Sequence, residues 1–212
     1  MYLPAHFTEE DQTEIATLMD GFPFAVLVAT GADGLFANHV PVLRDREDSL
    51  IGHVALANSM HRQIEDGGDI LTIFSGEDSY ISPNWYPSKK QNHSHVPTWN
   101  YQAVHVYGRI FFQHDDKTKL KVVGRLTKRF EAETNGPNAW RMADAPKDYM
   151  DKLLAHIVAF RIDIDRIEAK SKLSQNRDPG DFGNVARELE AREKTKLSGR
   201  MDHISATLQG DS

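Results

Sequence analysis

Apolar residues recur along this chain with two different periods. In "FAVLVATGADGLFANHVPVL", residues 24–43, two β-rich runs flank Ala32-Asp33-Gly34, where glycine is available for a positive φ. That pattern predicts a hairpin. "SLIGHVA" and "DILTIFSG" read as two more strands, the second ending in a turn near Ser75. "PTWNYQAVHVYGRIFFQ" alternates and is rich in β-formers, which predicts a long strand from about Thr98 to Phe112. "IVAFRIDIDRIEAK" supplies one or two further strands.

Helical spacing appears between these runs. Ile15, Leu18 and Met19 predict a helix over residues 9–20, with Thr8 as N-cap and Asp11 as the capping-box acid. "NSMHRQIED" reads as a short helix that Asn58 can cap. Leu120, Val123, Leu126 and Phe130 mark the inward stripe of a longer helix that opens on Asp115 and Asp116. The tail from Asp178 to about Leu197 is helical and charge-rich. Strand follows strand by short turns, with helices at the edges. That order predicts a mainly β fold, an antiparallel barrel with peripheral helices. Residues 1–177 form the domain on this reading, and 178–212 a C-terminal helical appendage and tail.

Composition narrows the chemistry. The 212 residues are 40% hydrophobic and 26% charged, an ordinary globular balance. There is no cysteine, so disulfides, thiolate metal sites and cysteine nucleophiles are excluded. No apolar run approaches the roughly 20 residues of a membrane helix. "MYLPAHFTEEDQ" lacks the basic-then-apolar order of a signal peptide, and the expected location is cytoplasmic. The net charge of −6 argues against a protein that grips nucleic acid through its bulk charge. A local patch remains on the long helix: Lys117, Lys119, Lys121, Arg125, Lys128 and Arg129. Its plainer reading is a solvated face.

Ten histidines invite a metal. His93 and His95 lie two apart and His105 follows on the next strand, but nothing specifies further ligands and no HExxH occurs. Solvated loop histidines are the better reading, and no metal is expected. A G-x-S-x-G elbow, a P-loop and a dinucleotide fingerprint are all missing from the sequence. The strand-to-helix junction in "GHVALANSMHR" has two readings: free N–H groups with His61 or Arg62 hold a phosphate, or Asn58 simply caps the helix and Arg62 is solvated.

"SYISPNWYPSKK", residues 79–90, crowds Tyr80, Trp85 and Tyr86 around two prolines, which oppose regular structure. Such a loop either folds onto a core or lines a planar ligand. "VPTWNY" adds Trp99 and Tyr101 on one strand face with Asn100 on the other. "KSKLSQNR", residues 170–177, supplies Lys170, Lys172, Gln175, Asn176 and Arg177, donors suited to a heterocycle edge or to solvent.

Several of these segments together resemble one family. "MYLPAHF", "GADGLFANHVPVL", "GHVALAN", "YISPNWYPSK", "VPTWNY" and "KLSQNR" are similar to the PaiB-type, FMN-binding negative transcriptional regulators, from Met1 to about Leu189. The resemblance implies an antiparallel Greek-key split β-barrel of the FMN-binding type, acting as a homodimer with flavin in the groove between subunits. It implies a cofactor site drawn from Asn38, His39, His53, Asn58, Ser82, Trp85, Tyr86, Lys89, Trp99, Asn100, Tyr101, Lys172, Ser174, Gln175, Asn176 and Arg177. Arg62 joins them through the junction described above. A flavin-dependent redox role is compatible with a chain that has no triad and no cysteine. The alternatives are a DNA- or protein-binding regulator without flavin, and a haem-binding split barrel.

Overall fold

The computed structural model describes residues 1–210. Six strands form a closed antiparallel barrel: β1 (Phe24–Gly31), β2 (Gly34–Arg46), β3 (Ser49–Ala55), β4 (Gly68–Ile81), β5 (Thr98–Gln113) and β6 (Ile157–Lys172). Their order around the barrel is β1-β2-β3-β6-β5-β4. The helices are α1 (Gln12–Gly21), α2 (Met60–Gln63), α3 (Lys89–Asn92), α4 (Asp116–Asn135), α5 (Lys147–Ala155), α6 (Pro179–Glu190) and α7 (Thr195–Gly210). No described helix is long and apolar enough to cross a membrane. The chain divides into two compact units. One comprises Met19–Phe74 and His105–Ile167, the other Met1–Leu18, Ser75–Val104 and the chain from Glu168 onward. β4, β5 and β6 contribute residues to both.

In the Met19–Phe74/His105–Ile167 unit, the expected hairpin forms with Gly31 opposite Gly34 and a two-residue turn between them. Gly34 sits at φ 105°, a conformation that L side chains avoid. Alternation along β1 buries Ala25, Leu27 and Ala29, and the same core takes Leu50, Val54, Phe74, Val106, Val158, Phe160 and Ile162. Each fully buried Leu- or Phe-sized side chain contributes ~1.5–3 kcal/mol. Register is fixed at β5–β6 by close approach: a β-carbon at Gly108 would lie 2.2 Å from the Asp163 carbonyl oxygen.

Helix α4 starts as its acids suggest, with Asp115 accepting the Thr118 N–H at 2.9 Å. Its inward stripe differs from the expected one. Val122 and Leu126 pack with Leu43, Ile51, Ala159 and Phe130, while Leu120 is 48% exposed. The stripe begins one residue earlier, at Lys119, which buries its stem and reaches Asp116 at 3.3 Å.

In the other unit, α1 begins at Gln12, three residues later than expected. Asp11 is the cap, accepting N–H groups of Thr13 at 2.9 Å and Glu14 at 3.4 Å. Thr8 is drawn instead into a bridge with Lys170. β4 does not end near Ser75 but runs on to Ile81. The tail is two helices that join one apolar cluster: Ile81, Tyr86, Leu173, Phe182, Val185, Ala186, Leu189, Leu197 and Met201.

Candidate functional site

The aromatic segment is built from two short turns after β4. Ser82 Oγ accepts the Asn84 N–H at 3.2 Å and starts a 3-10 turn over Pro83–Trp85. Tyr86 follows, 1% exposed and inside the apolar cluster just described. The Arg177 guanidinium lies 4.8 Å from its ring centroid, and Arg192 lies 4.4 Å from that of Trp85. Asn184 donates to the Trp85 carbonyl at 2.7 Å. The segment is therefore a flap packed on α6, and Tyr86 is core.

A buried carboxylate pins this flap. Asp181, 2% exposed, accepts the Ser88 N–H at 3.1 Å and the Ser88 hydroxyl at 2.6 Å. His95 Nε2 lies 2.9 Å from the same hydroxyl oxygen. Since the Ser88 proton goes to Asp181, His95 donates here and Nε2 carries its hydrogen. The sequence held no sign of Asp181: its partner is 93 residues away.

Alternation sorts the β5 and β6 candidates onto two faces. Trp99 is 52% exposed and Tyr80 48%, with ring centroids 6.3 Å apart at an edge-on angle. Tyr101 lies on the Trp99 side of the strand, under the Lys170 ammonium at 5.4 Å. Asn100 points the other way, fully buried, and accepts the Ser174 hydroxyl at 3.0 Å. Ser174 holds a left-handed backbone at φ 67°. Gln175 spends both ends of its amide on its own loop, accepting the Leu173 N–H at 2.7 Å and donating to the Ser171 carbonyl. Asn100, Ser174 and Gln175 thus shape the loop, and their polar atoms are already engaged. Asn176 is exposed.

Lys172 is the electrostatic centre of this group. Its ammonium donates to Thr98 Oγ1 at 2.5 Å and to the Trp99 carbonyl, both neutral acceptors. Burial, then the charges of Lys170 and Arg177, hold its pKa below the usual lysine value. A cation penalised in this way is relieved by an anion. Exposed rings beside an under-neutralised ammonium suit a planar, negatively charged ligand.

The remaining candidates belong to the Met19–Phe74/His105–Ile167 unit. Asn58 donates to Asn38 Oδ1 at 2.7 Å and accepts the Met60 N–H at 2.9 Å, which ties the entrance of α2 to β2; the N-cap itself is Ser59, without a side-chain cap bond, and not the expected Asn58. Arg62 turns back to the Leu56 carbonyl at 3.2 Å and to His61 Nε2 at 3.1 Å. His39 is exposed, its ring 6.1 Å from that of Phe24. His53 is partly buried, with its Nδ1 unpartnered among the described residues and its pKa lowered by burial. Of the six basic residues on α4, Arg125 bonds Asp45 and Arg129 bonds Asp20 and Glu133, while Lys119 pairs with Asp116. Lys117, Lys121 and Lys128 remain exposed.

Residues 1–166 match the family model described as "Putative FMN-binding domain". This chain belongs to that family. It is 34% identical over 196 residues to Protease synthase and sporulation protein PAI 2 of Bacillus subtilis, covering 91% of each chain. Among solved structures it is similar to the FAD and heme binding protein from Mycobacterium smegmatis, with TM-score 0.59 and 17% identity over 82% of this chain and 78% of that one. A conserved hypothetical protein from Mycobacterium tuberculosis gives TM-score 0.60 at 12% identity, over 84% and 94%. At such identities the likeness is one of fold, and it bears out the split barrel with peripheral helices.

Proposed function

We propose that this protein is a flavin-binding split-barrel regulator of the PAI 2 type that takes FMN against Trp99, Tyr101 and Lys172. One observation carries the reading: exposed Trp99 shares a strand face with Tyr101 and receives, at its carbonyl, an ammonium that only neutral groups satisfy. In this reading the rings wall the isoalloxazine, and Lys172, with Lys170 and Arg177 adding to the local positive field, meets a negatively charged part of FMN, its phosphate or the ring once reduced. Bound FMN would supply the redox chemistry. Ser82, Trp85, Tyr86, Asn100, Ser174 and Gln175 keep the wall in place through the hydrogen bonds and packing described above. Asn38, His39, His53, Asn58 and Arg62, all within the Met19–Phe74/His105–Ile167 unit, are proposed separately as candidate cofactor contacts of that unit.

The protein is proposed to act as a homodimer, which the family resemblance supports, and to work in the cytoplasm. Light scattering coupled to gel filtration reads the mass. FMN titration of the apoprotein, followed by flavin fluorescence, tests the cofactor. Direct DNA reading has weaker support, because ion pairs within the protein occupy three of the six basic side chains on α4.

A further inference from the structure

A second concavity lies on the flap itself. It is a cavity of about 490 Å3, and Asn84, Tyr86, Lys89, Lys90, His93 and Asn184 are among its lining residues. No carboxylate lines it, in a chain whose net charge is −6. Glu9 and Glu14 of this unit pair with Arg200. Here two lysines and a histidine converge without a carboxylate.

Three features make the place pre-formed. Lys89 Nζ is steered by the Asn84 amide oxygen at 2.6 Å, a neutral acceptor that leaves its charge uncompensated. His93 ends α3 in a left-handed backbone at φ 52°, where glycine would be the easier residue. Beneath them the Ser88–Asp181 clamp and the buried Tyr86 ring fix the backbone. Tyr86 adds an independent sign: its hydroxyl is buried and has no hydrogen-bond partner among the described residues. A buried hydroxyl without a partner is costly, so an acceptor that reached it would be bound favourably.

We infer that this cavity binds a small oxyanion, a phosphoryl or carboxylate group of a metabolite, at a site separate from the Trp99–Lys172 wall. Lys89 and Lys90 neutralise the anion, and the His93 ring is available as a donor. A flavin-binding protein with such a pocket would sense or accept a second, acidic ligand. The site stands on its own lining and does not require the flavin reading to hold.

The test uses the full chain and calorimetric titration with inorganic phosphate and, in parallel, with citrate. Saturable binding of either probe is expected, and the stronger one identifies the phosphoryl or the carboxylate class. Lys90→Glu, a change on an exposed side chain, should weaken it at least about tenfold. Lys128→Glu, on α4, should leave it unchanged, and both variants should keep the wild-type FMN affinity. Absence of saturable binding overturns the inference, as does equal weakening by Lys128→Glu. Parallel loss of FMN affinity in Lys90→Glu, with phosphate competing against FMN, would make the cavity the flavin's own phosphate site and also overturn it. If the protein binds no FMN at all but the phosphate or citrate result stands, the flavin reading fails alone.

Discussion

Ser88 gives both its backbone N–H and its hydroxyl to the carboxylate of Asp181, a residue 93 positions later and 2% exposed. The aromatic flap is thereby bolted to α6. Asp181→Ala removes the acceptor and strands two donors, which should cost about 1–3 kcal/mol in urea unfolding. Asp181→Asn keeps one acceptor oxygen and should cost less. Equal stability of the alanine variant and the wild type would contradict the clamp.

His53 is destabilised in its charged form by burial, so its folded pKa lies below the ordinary 6.5. The unfolded chain then binds the extra proton first. Stability should fall as pH drops from about 6.5 through the folded pKa, and level off below it. Imidazole resonances followed by NMR should show one histidine, lost in His53→Gln, titrating below 6.5.

Lys172 carries the opposite consequence at high pH. Its folded pKa lies below 10.5, so the penalty on its charge is fully present at neutral pH and disappears as pH rises towards 10.5. Lys172→Met should therefore gain stability relative to wild type at pH 7 and lose that advantage by about pH 10.5. FMN binding at neutral pH should weaken in the same variant. Denaturant midpoints over that range check the first half, and flavin titration the second.

Arg125 bonds both Asp45 and the Arg44 carbonyl. Its loss should lower stability by about 1–2 kcal/mol, whereas Lys121→Ala on the same helix should stay within about 0.5 kcal/mol. Thermal melts of the two variants compare them directly. Equal shifts would mean that Arg125 is as free as Lys121.

Much of the barrel was legible because period-2 runs and an Ala-Asp-Gly turn are local signals. α4's cap at Asp115 was also local. The stripe on α4 was misplaced because a lysine stem can bury like an apolar residue, which a hydrophobic pattern does not score. α1 started late because Thr8 found a strand partner in Lys170, a contact 162 residues away in sequence. The site shows the same division. Alternation on one strand puts Trp99 and Tyr101 on a shared face, whereas Lys172 is marked only as one donor of "KSKLSQNR". Tyr86, Asn100 and Gln175 have residue types that suit a ligand, yet their atoms serve packing and loop closure. Asp181 and the clamp it forms left no trace in local sequence, since a carboxylate near a helix start usually just complements the helix dipole.

The flavin wall stands or falls on the FMN affinity of Trp99→Ala. Fluorescence titration of wild-type apoprotein should give saturable quenching with a Kd well below millimolar. Removing the exposed ring should weaken it about tenfold or more, while the melting temperature changes little. Wild-type binding no tighter than millimolar, or an alanine variant that binds FMN as well as the wild type, would contradict the flavin wall.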